Sequence, residues 1–392
     1  MYNFNKHIYR EHTNSQKWNK KLLLEYFGVD DLLPFWIADM DFLASNEIRK
    51  DLADHAFDKV FGYDKKNDTL IDAVISWHKK RFDWQIQKED IRFAPSVLNS
   101  ITSILNIYTK KGDGVIIQTP AFPKFRAVVI KNDRKTISNP LKLVDGKYEI
   151  DFEDLEKKAS NPNNKVLILC NPHNPIGRAW SKKELQKIEE ISTKHNILVI
   201  TDEIHNGIIL NENRFIPYSS ISENARQNSI TCISPAKTFN IASVSDSIVL
   251  IANKQLREKF DKYMENSSNH KINTFNLIAM EAAYSKSDQW LDGLLEYLQE
   301  NLEFMKNYIK EHIPKIKLIE PEATFLVWLD FRELNFDTKE LEKFLVNEAK
   351  LALNSGHWFG KEGAGFARMG IACSRSMLKQ GLENLKNAVD KI

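Results

Sequence analysis

Between about residue 90 and residue 252, short continuous apolar runs alternate with stretches in which apolar residues recur every three or four positions. The runs are residues 114–118, 165–170, 197–200, 230–233 and 248–251, all rich in Val, Ile or Leu. Short, unbroken apolar runs of this kind read as strands buried on both faces. Of the intervening stretches, two are well marked. Val97, Ile101, Ile104, Leu105 and Tyr108 fall on one helical face. Ser181 and Glu184 form a capping box, with Trp180 and Leu185 placed as a hydrophobic staple, for a helix reaching about Lys194. Strand alternating with helix predicts an α/β domain with a mostly parallel sheet. After about residue 286 the pattern becomes one long, charged amphipathic helix, then a strand-like run at residues 324–329 and further helices, which predicts a smaller α+β domain.

Composition narrows the function classes. The 392 residues carry 55 basic against 53 acidic side chains, a net charge of +2, with no concentrated basic stripe and no nucleic-acid motif. No run approaches transmembrane length and the N-terminal residues lack a signal-peptide core, so the expectation is a cytoplasmic protein without membrane or nucleic-acid partners. Cys170, Cys232 and Cys373 are too few for a disulfide framework and read as buried thiols. His173 and His205 stand apart without metal-ligand spacing, and no metal is expected. Gly363-Ala364-Gly365 lacks the third glycine and the helix of a dinucleotide loop, so it reads as a loop.

The candidate chemistry sits just past the strand-like runs, where ligands bind in open α/β sheets. Three segments follow one another: Asn171-Pro172-His173-Asn174-Pro175, Thr201-Asp202-Glu203-Ile204-His205, and Ser234-Pro235-Ala236-Lys237-Thr238-Phe239-Asn240. Together they answer the requirements of pyridoxal 5'-phosphate. Lys237 offers an amine for the aldehyde and Asp202 a carboxylate to keep the pyridine nitrogen protonated. The Asn174 amide can donate to the ring oxygen, and the Ser234 hydroxyl can reach the phosphate.

The ordered set resembles the fold-type I pyridoxal phosphate enzymes of the aspartate aminotransferase superfamily, and more narrowly the MalY/PatB-type cystathionine β-lyases. Further residues support the narrower resemblance: Trp36-Ile37-Ala38-Asp39-Met40-Asp41-Phe42, Phe61-Gly62-Tyr63, Trp180, His205 in place of the aminotransferases' usual tyrosine, and Phe366-Ala367-Arg368. The resemblance implies a large cofactor-binding domain at residues 50–285 and a smaller domain built from residues 1–49 and 286–392. It makes Lys237 the cofactor's covalent partner and acid/base, and places Asp202 on the ring nitrogen. Asn174 and His205 lie beside the ring oxygen and Phe122 on the ring face. Arg368 and the Ala38 backbone hold the substrate carboxylate. Tyr63 reaches the phosphate of a neighbouring subunit, so a homodimer is expected.

Departures from the family pattern cluster at the phosphate. Pro95-Ser96-Val97-Leu98 replaces a glycine-containing run, although the amides of Val97 and Leu98 at the helix start remain available to an anion. Ala242-Ser243-Val244-Ser245 replaces Ala-Gly-Leu, without the arginine many aminotransferases carry at the position of Ser245, and Gly370 stands where a polar residue is common. The expected activity is β-elimination from an amino-acid substrate, cystathionine or a related cysteine S-conjugate, giving thiol, pyruvate and ammonia. The alternatives are an aminotransferase and a cofactor-binding regulatory protein without turnover.

Overall fold

The computed structural model describes residues 2–62, 64, 67–267 and 273–392. Its centre is a seven-stranded sheet of β1 (Ile91–Ala94), β2 (Gly114–Thr119), β3 (Lys135–Pro140), β4 (Asn164–Cys170), β5 (Leu198–Asp202), β6 (Ser229–Ile233) and β7 (Ser247–Leu250). The strand order is β1-β7-β6-β5-β4-β2-β3. The pairs among β2 to β6 are all parallel, and β7 runs antiparallel to both β6 and β1. All five expected strands are present, so the mostly parallel α/β expectation holds.

Continuous apolar runs are needed because both faces of the sheet are covered. In β4, Leu167 and Leu169 join a core with Trp180, Leu185 and Ile188 of the Lys182–Lys194 helix. The alternate residues Val166, Ile168 and Cys170 join the core of the Val97–Tyr108 helix on the other face. The Ser181–Glu184 capping box forms as expected.

A second, four-stranded antiparallel sheet contains β8 (Lys317–Ile319), β9 (Leu326–Asp330), β10 (Asn354–Ser355) and β11 (Phe366–Gly370), in the order β8-β9-β11-β10. The long helix spans Asp288–His312 and packs on the Arg375–Val389 helix. From the N-terminal stretch, Leu33–Pro34 pairs in parallel with Leu351–Ala352. Strand β9 starts two residues later than the apolar run, because Thr324 adopts the left-handed region at φ 72° and its N–H turns to the Ile208 carbonyl at 2.8 Å. Gly370, unusual for the family pattern, has a packing reason. Its amide donates to the Phe35 carbonyl at 3.0 Å, and a Cβ would lie 3.3 Å from that oxygen. Among the described residues no helix is long and apolar enough to cross a membrane.

Candidate active site

Strands β4, β5 and β6 are neighbours, and register sets Cys170 opposite Asp202 and Asp202 opposite Cys232. Each motif therefore begins at the same edge of the sheet. Ala38, Val97, Leu98, Phe122, Asn174, Asp202, His205, Ser234 and Lys237 line one cavity of about 250 Å³. The sequence places them across 200 positions, and parallel topology brings them together. Arg368 lines an adjoining cleft of about 630 Å³, which shares Ala38, Phe122 and Lys237 with the first cavity. Tyr63 lies outside the described residues.

Lys237 sits on the short Pro235–Thr238 helix, capped by Ser234, and its Nζ donates to the Ala38 carbonyl at 2.5 Å. Burial lowers its pKa to about 8, with Asp39 and Asp202 pulling upward and Arg368 downward. The segment that follows Ala38 is held in turn by Asn240, three residues past the lysine. Asn240 Oδ1 accepts from the Met40 amide at 3.1 Å, while Nδ2 donates to the Met40 and Phe42 carbonyls at 3.1 and 2.8 Å. From the far side the buried Lys17 ammonium and the Trp18 indole hold Asp41 at 2.5 and 2.9 Å, and Arg10 bridges Asp39 and Asp41 at 2.6 and 2.7 Å. Residues 36–42 and 237–240, read separately in the sequence, thus form one clamp.

Asp202 is 5% exposed, and its Oδ1 accepts the Ile204 amide at 3.1 Å. Burial raises its pKa to about 6 against the pull of that amide and of Lys237, so a cation placed against it would lower the pKa again. His205 is held neutral by burial, with Lys237 and Arg368 adding to the drop to about 3. Its Nδ1 is buried without a hydrogen-bond partner among the described residues, as is Ser245 Oγ. Both residues line the smaller cavity together with Val97 and Leu98, whose amides lie in a helical first turn and lack intrahelical partners. Buried polar atoms left unpaired cost about 1–3 kcal/mol each, so their convergence on one cavity marks a place for a polar ligand.

These groups fit pyridoxal phosphate. Unpaired donors and a helix N-terminus suit the phosphate and ring oxygen, a buried carboxylate suits a protonated ring nitrogen, and Phe122, seated edge-to-face on Phe125 at 5.6 Å, offers an aromatic face. Ser234 differs from expectation in detail: its hydroxyl donates to the Asp246 carbonyl at 2.8 Å and accepts the Ala236 amide, so it caps the lysine helix. Ser245 offers a second hydroxyl at the cavity, one without a partner among the described residues. Ser243, by contrast, is exposed.

Arg368 is 4% exposed. Its Nη1 donates to Asn174 Oδ1 at 2.8 Å, and Nη2 donates to the Trp36 carbonyl at 2.8 Å and to Asn354 Oδ1 at 2.6 Å. Nε is unpartnered, and no carboxylate pairs with the guanidinium among the described residues. Burial lowers its pKa to about 9, which still leaves it charged at neutral pH. Asn354 escapes the sequence reading because nothing local marks it; it meets Arg368 only through the β10–β11 register.

The chain matches the family described as Aminotransferase class I and II over residues 30–385. It is 38% identical to cystathionine beta-lyase PatB of Bacillus subtilis (strain 168), covering 99% of this chain and all of the relative. Among solved structures it superposes on cystalysin from Treponema denticola, which contains pyridoxal 5'-phosphate, with a TM-score of 0.96 at 34% identity, covering 100% and 99% of the two chains. The pyridoxal-phosphate-bound C-S lyase of Staphylococcus hominis gives 0.92 at 30% identity, covering 99% and 98%.

Proposed function

Since the chain belongs to the aminotransferase class I and II family, we propose that it is a pyridoxal-phosphate-dependent carbon-sulfur β-lyase acting on cystathionine or related S-substituted cysteines. The observation that carries the reading is Arg368, a buried cation without a carboxylate partner among the described residues, in the cleft that also holds Lys237. Such a charge is costly to bury unless a ligand anion completes it. An α-carboxylate does so in a bidentate pair, and it leaves the substrate Cα toward Lys237.

Pyridoxal phosphate, when bound, supplies an aldehyde that condenses with amines and a ring that accepts the electrons left by a departing Cα proton. Asp202 would keep the ring nitrogen protonated. Asn174, whose Oδ1 is already occupied by Arg368, has its Nδ2 free to donate to the ring oxygen, so carboxylate binding and ring binding share one side chain. The Val97 and Leu98 amides and the Ser245 hydroxyl would take the phosphate. Lys237, neutral in half its copies near pH 8, would take the Cα proton. In the net reaction the Cα–H and Cβ–S bonds break, and sulfur leaves with the bonding pair and gains a proton as thiol. One water is consumed as the remainder is released as pyruvate and ammonium.

The role of Arg368 is tested by comparing S-ethyl-L-cysteine with S-ethylcysteamine, which lacks the carboxylate. Ethanethiol is expected from the first alone; equal release from both would contradict the reading. The lowered pKa of Lys237 gives a second expectation. The neutral amine is the reactive form, and a depressed pKa makes it abundant at lower pH. Uptake of pyridoxal phosphate by cofactor-free protein, followed by its visible absorbance, should rise about tenfold per pH unit and level off above about pH 8. A rise continuing to pH 10 would assign the reactive amine to a solvated lysine.

The same reading takes residues 50–285 as the cofactor domain and residues 1–49 with 286–392 as the smaller one, supported by the Leu33–Pro34 pairing with Leu351–Ala352. It includes a homodimer. Phe57, Val60 and Phe61 are 89%, 86% and 66% exposed immediately before Tyr63, an apolar patch of the kind that marks contact surfaces. Sedimentation equilibrium should give twice the 45.5 kDa chain mass, and a fully active monomer would contradict it. The three buried free thiols suit a reducing compartment, and the cytoplasm is the location that goes with the reading.

A further inference from the structure

The Lys237 amine rests on the Ala38 carbonyl, and the residues on either side of that carbonyl are gripped by two cations that line neither cavity, Arg10 and Lys17. Lys17 is 1% exposed. Its carbonyl accepts the Trp36 indole N–H at 3.1 Å, and the Trp36 carbonyl in turn accepts from Arg368. Its ammonium lies 2.5 Å from Asp41 and 3.9 Å from Asp39. Arg10 closes the group, with one guanidinium nitrogen on each carboxylate. Two carboxylates placed two residues apart in a largely buried loop are costly unless cations match them, and here two cations match two anions. Burial pushes the Asp41 carboxyl up, but Lys17, Trp18 and Arg10 outweigh it and keep the group an anion. Asp39 is held less completely, since its Oδ1 is buried with no hydrogen-bond partner among the described residues.

This cluster bears on the lysine. Among the described residues, the charged or titratable groups around Lys237 are Asp39, Asp202, His205, Cys170, Arg368 and, on the cleft wall, the exposed Lys124. Burial keeps His205 and Cys170 neutral. Of the charges, Asp39 draws the lysine toward its ammonium form most strongly. A carboxylate stripped of its own countercharge attracts a nearby ammonium harder still. Resting on the reading of Lys237 as the amine that bonds the cofactor, we propose that Arg10 and Lys17 are positioning residues: they neutralise Asp39 and Asp41, so favouring the uncharged form of the Lys237 amine, and they fix the loop whose carbonyls hold Lys237 and Arg368.

The test follows uptake of pyridoxal phosphate by cofactor-free, full-length protein across pH, read by visible absorbance, with a thermal melt of each variant. In the unsubstituted protein uptake levels off above about pH 8. Arg10→Met and Lys17→Met should each move that point upward by about one pH unit, so that uptake at pH 7 falls about tenfold. Asp39→Asn should move it downward by a similar amount, and the charge-balanced double variant Arg10→Met with Asp39→Asn should return it close to the unsubstituted position. A purely structural role would lower the melting temperature or the extent of uptake, and it would not give opposite signs for Arg10 and Asp39. Should Lys17→Met fail to fold, the Arg10 and Asp39 variants decide the matter, because the Arg10 side chain is 20% exposed and Asp41 keeps Lys17 and Trp18 without it. A profile unmoved in these variants, or moved the same way by Arg10→Met and Asp39→Asn, would overturn the proposal while leaving Lys237 in place. Uptake by Lys237→Ala with the unsubstituted profile would remove the reading of Lys237 itself, and the role of the two cations with it.

Discussion

Lys237→Ala is expected to lower pyruvate formation by at least about 10⁴-fold without unfolding the protein. In the proposed reading the lysine supplies both the amine that bonds the cofactor and the base for the Cα proton, and among the residues lining the two cavities the other lysine, Lys124, is exposed. Structurally its removal costs little. The one hydrogen bond lost is to the Ala38 carbonyl, worth about 1 kcal/mol, and the burial of an amine is relieved at the same time. The surrounding segment stays clamped by Asn240 and by Asp41 with Lys17, Trp18 and Arg10. Steady-state pyruvate assays alongside thermal melts check both halves. An unchanged rate would end the assignment of the site, and an unfolded variant would show that the clamp depends on the lysine.

Arg368 carries the second large effect. Arg368→Lys keeps the charge but loses the fork that can grip a carboxylate while still holding Asn174, Asn354 and the Trp36 carbonyl, so kcat/KM should fall about 10²-fold. Arg368→Leu removes the charge as well and should cost about 10³-fold. Because Asn174 is shared between Arg368 and the cofactor side of the site, the visible absorbance of the bound cofactor serves as the control. Retained absorbance with lost turnover points to the substrate carboxylate. Turnover in Arg368→Leu within a few-fold of the unsubstituted enzyme would show that the guanidinium is a packing element and that the substrate is held elsewhere.

The sequence made the catalytic floor legible for a physical reason. Asn174, Asp202, Ser234 and Lys237 follow three strands whose apolar runs are continuous because both faces are buried, and adjacent parallel strands deliver their carboxyl ends to one crevice. The Ser181–Glu184 helix start was legible because capping is a local transaction among neighbouring residues. What escaped depends on distant partners. Strand β3 is an edge strand with one buried residue, Asn139, so its apolar signal is weak, and β1 is only four residues long. Gly370 reads as an oddity until the Phe35 carbonyl is found against it. Asn354 enters the site through the register of the second sheet, and the link from Asn240 to Met40 and Phe42 spans about 200 residues. The hydrogen bonds of the Ser234 hydroxyl to Asp246 and Ala236, and the unpartnered Ser245 Oγ beside it in the cavity, are likewise set by folding rather than by local sequence.

The measurement that tests the account most directly is simultaneous release of thiol and pyruvate from an S-substituted L-cysteine by cofactor-loaded protein, with no keto acid present. The account predicts sustained release of both in equal amounts over many turnovers. Release of neither, with the cofactor's visible absorbance intact and amino transfer appearing once a keto acid is added, would contradict it and identify an aminotransferase.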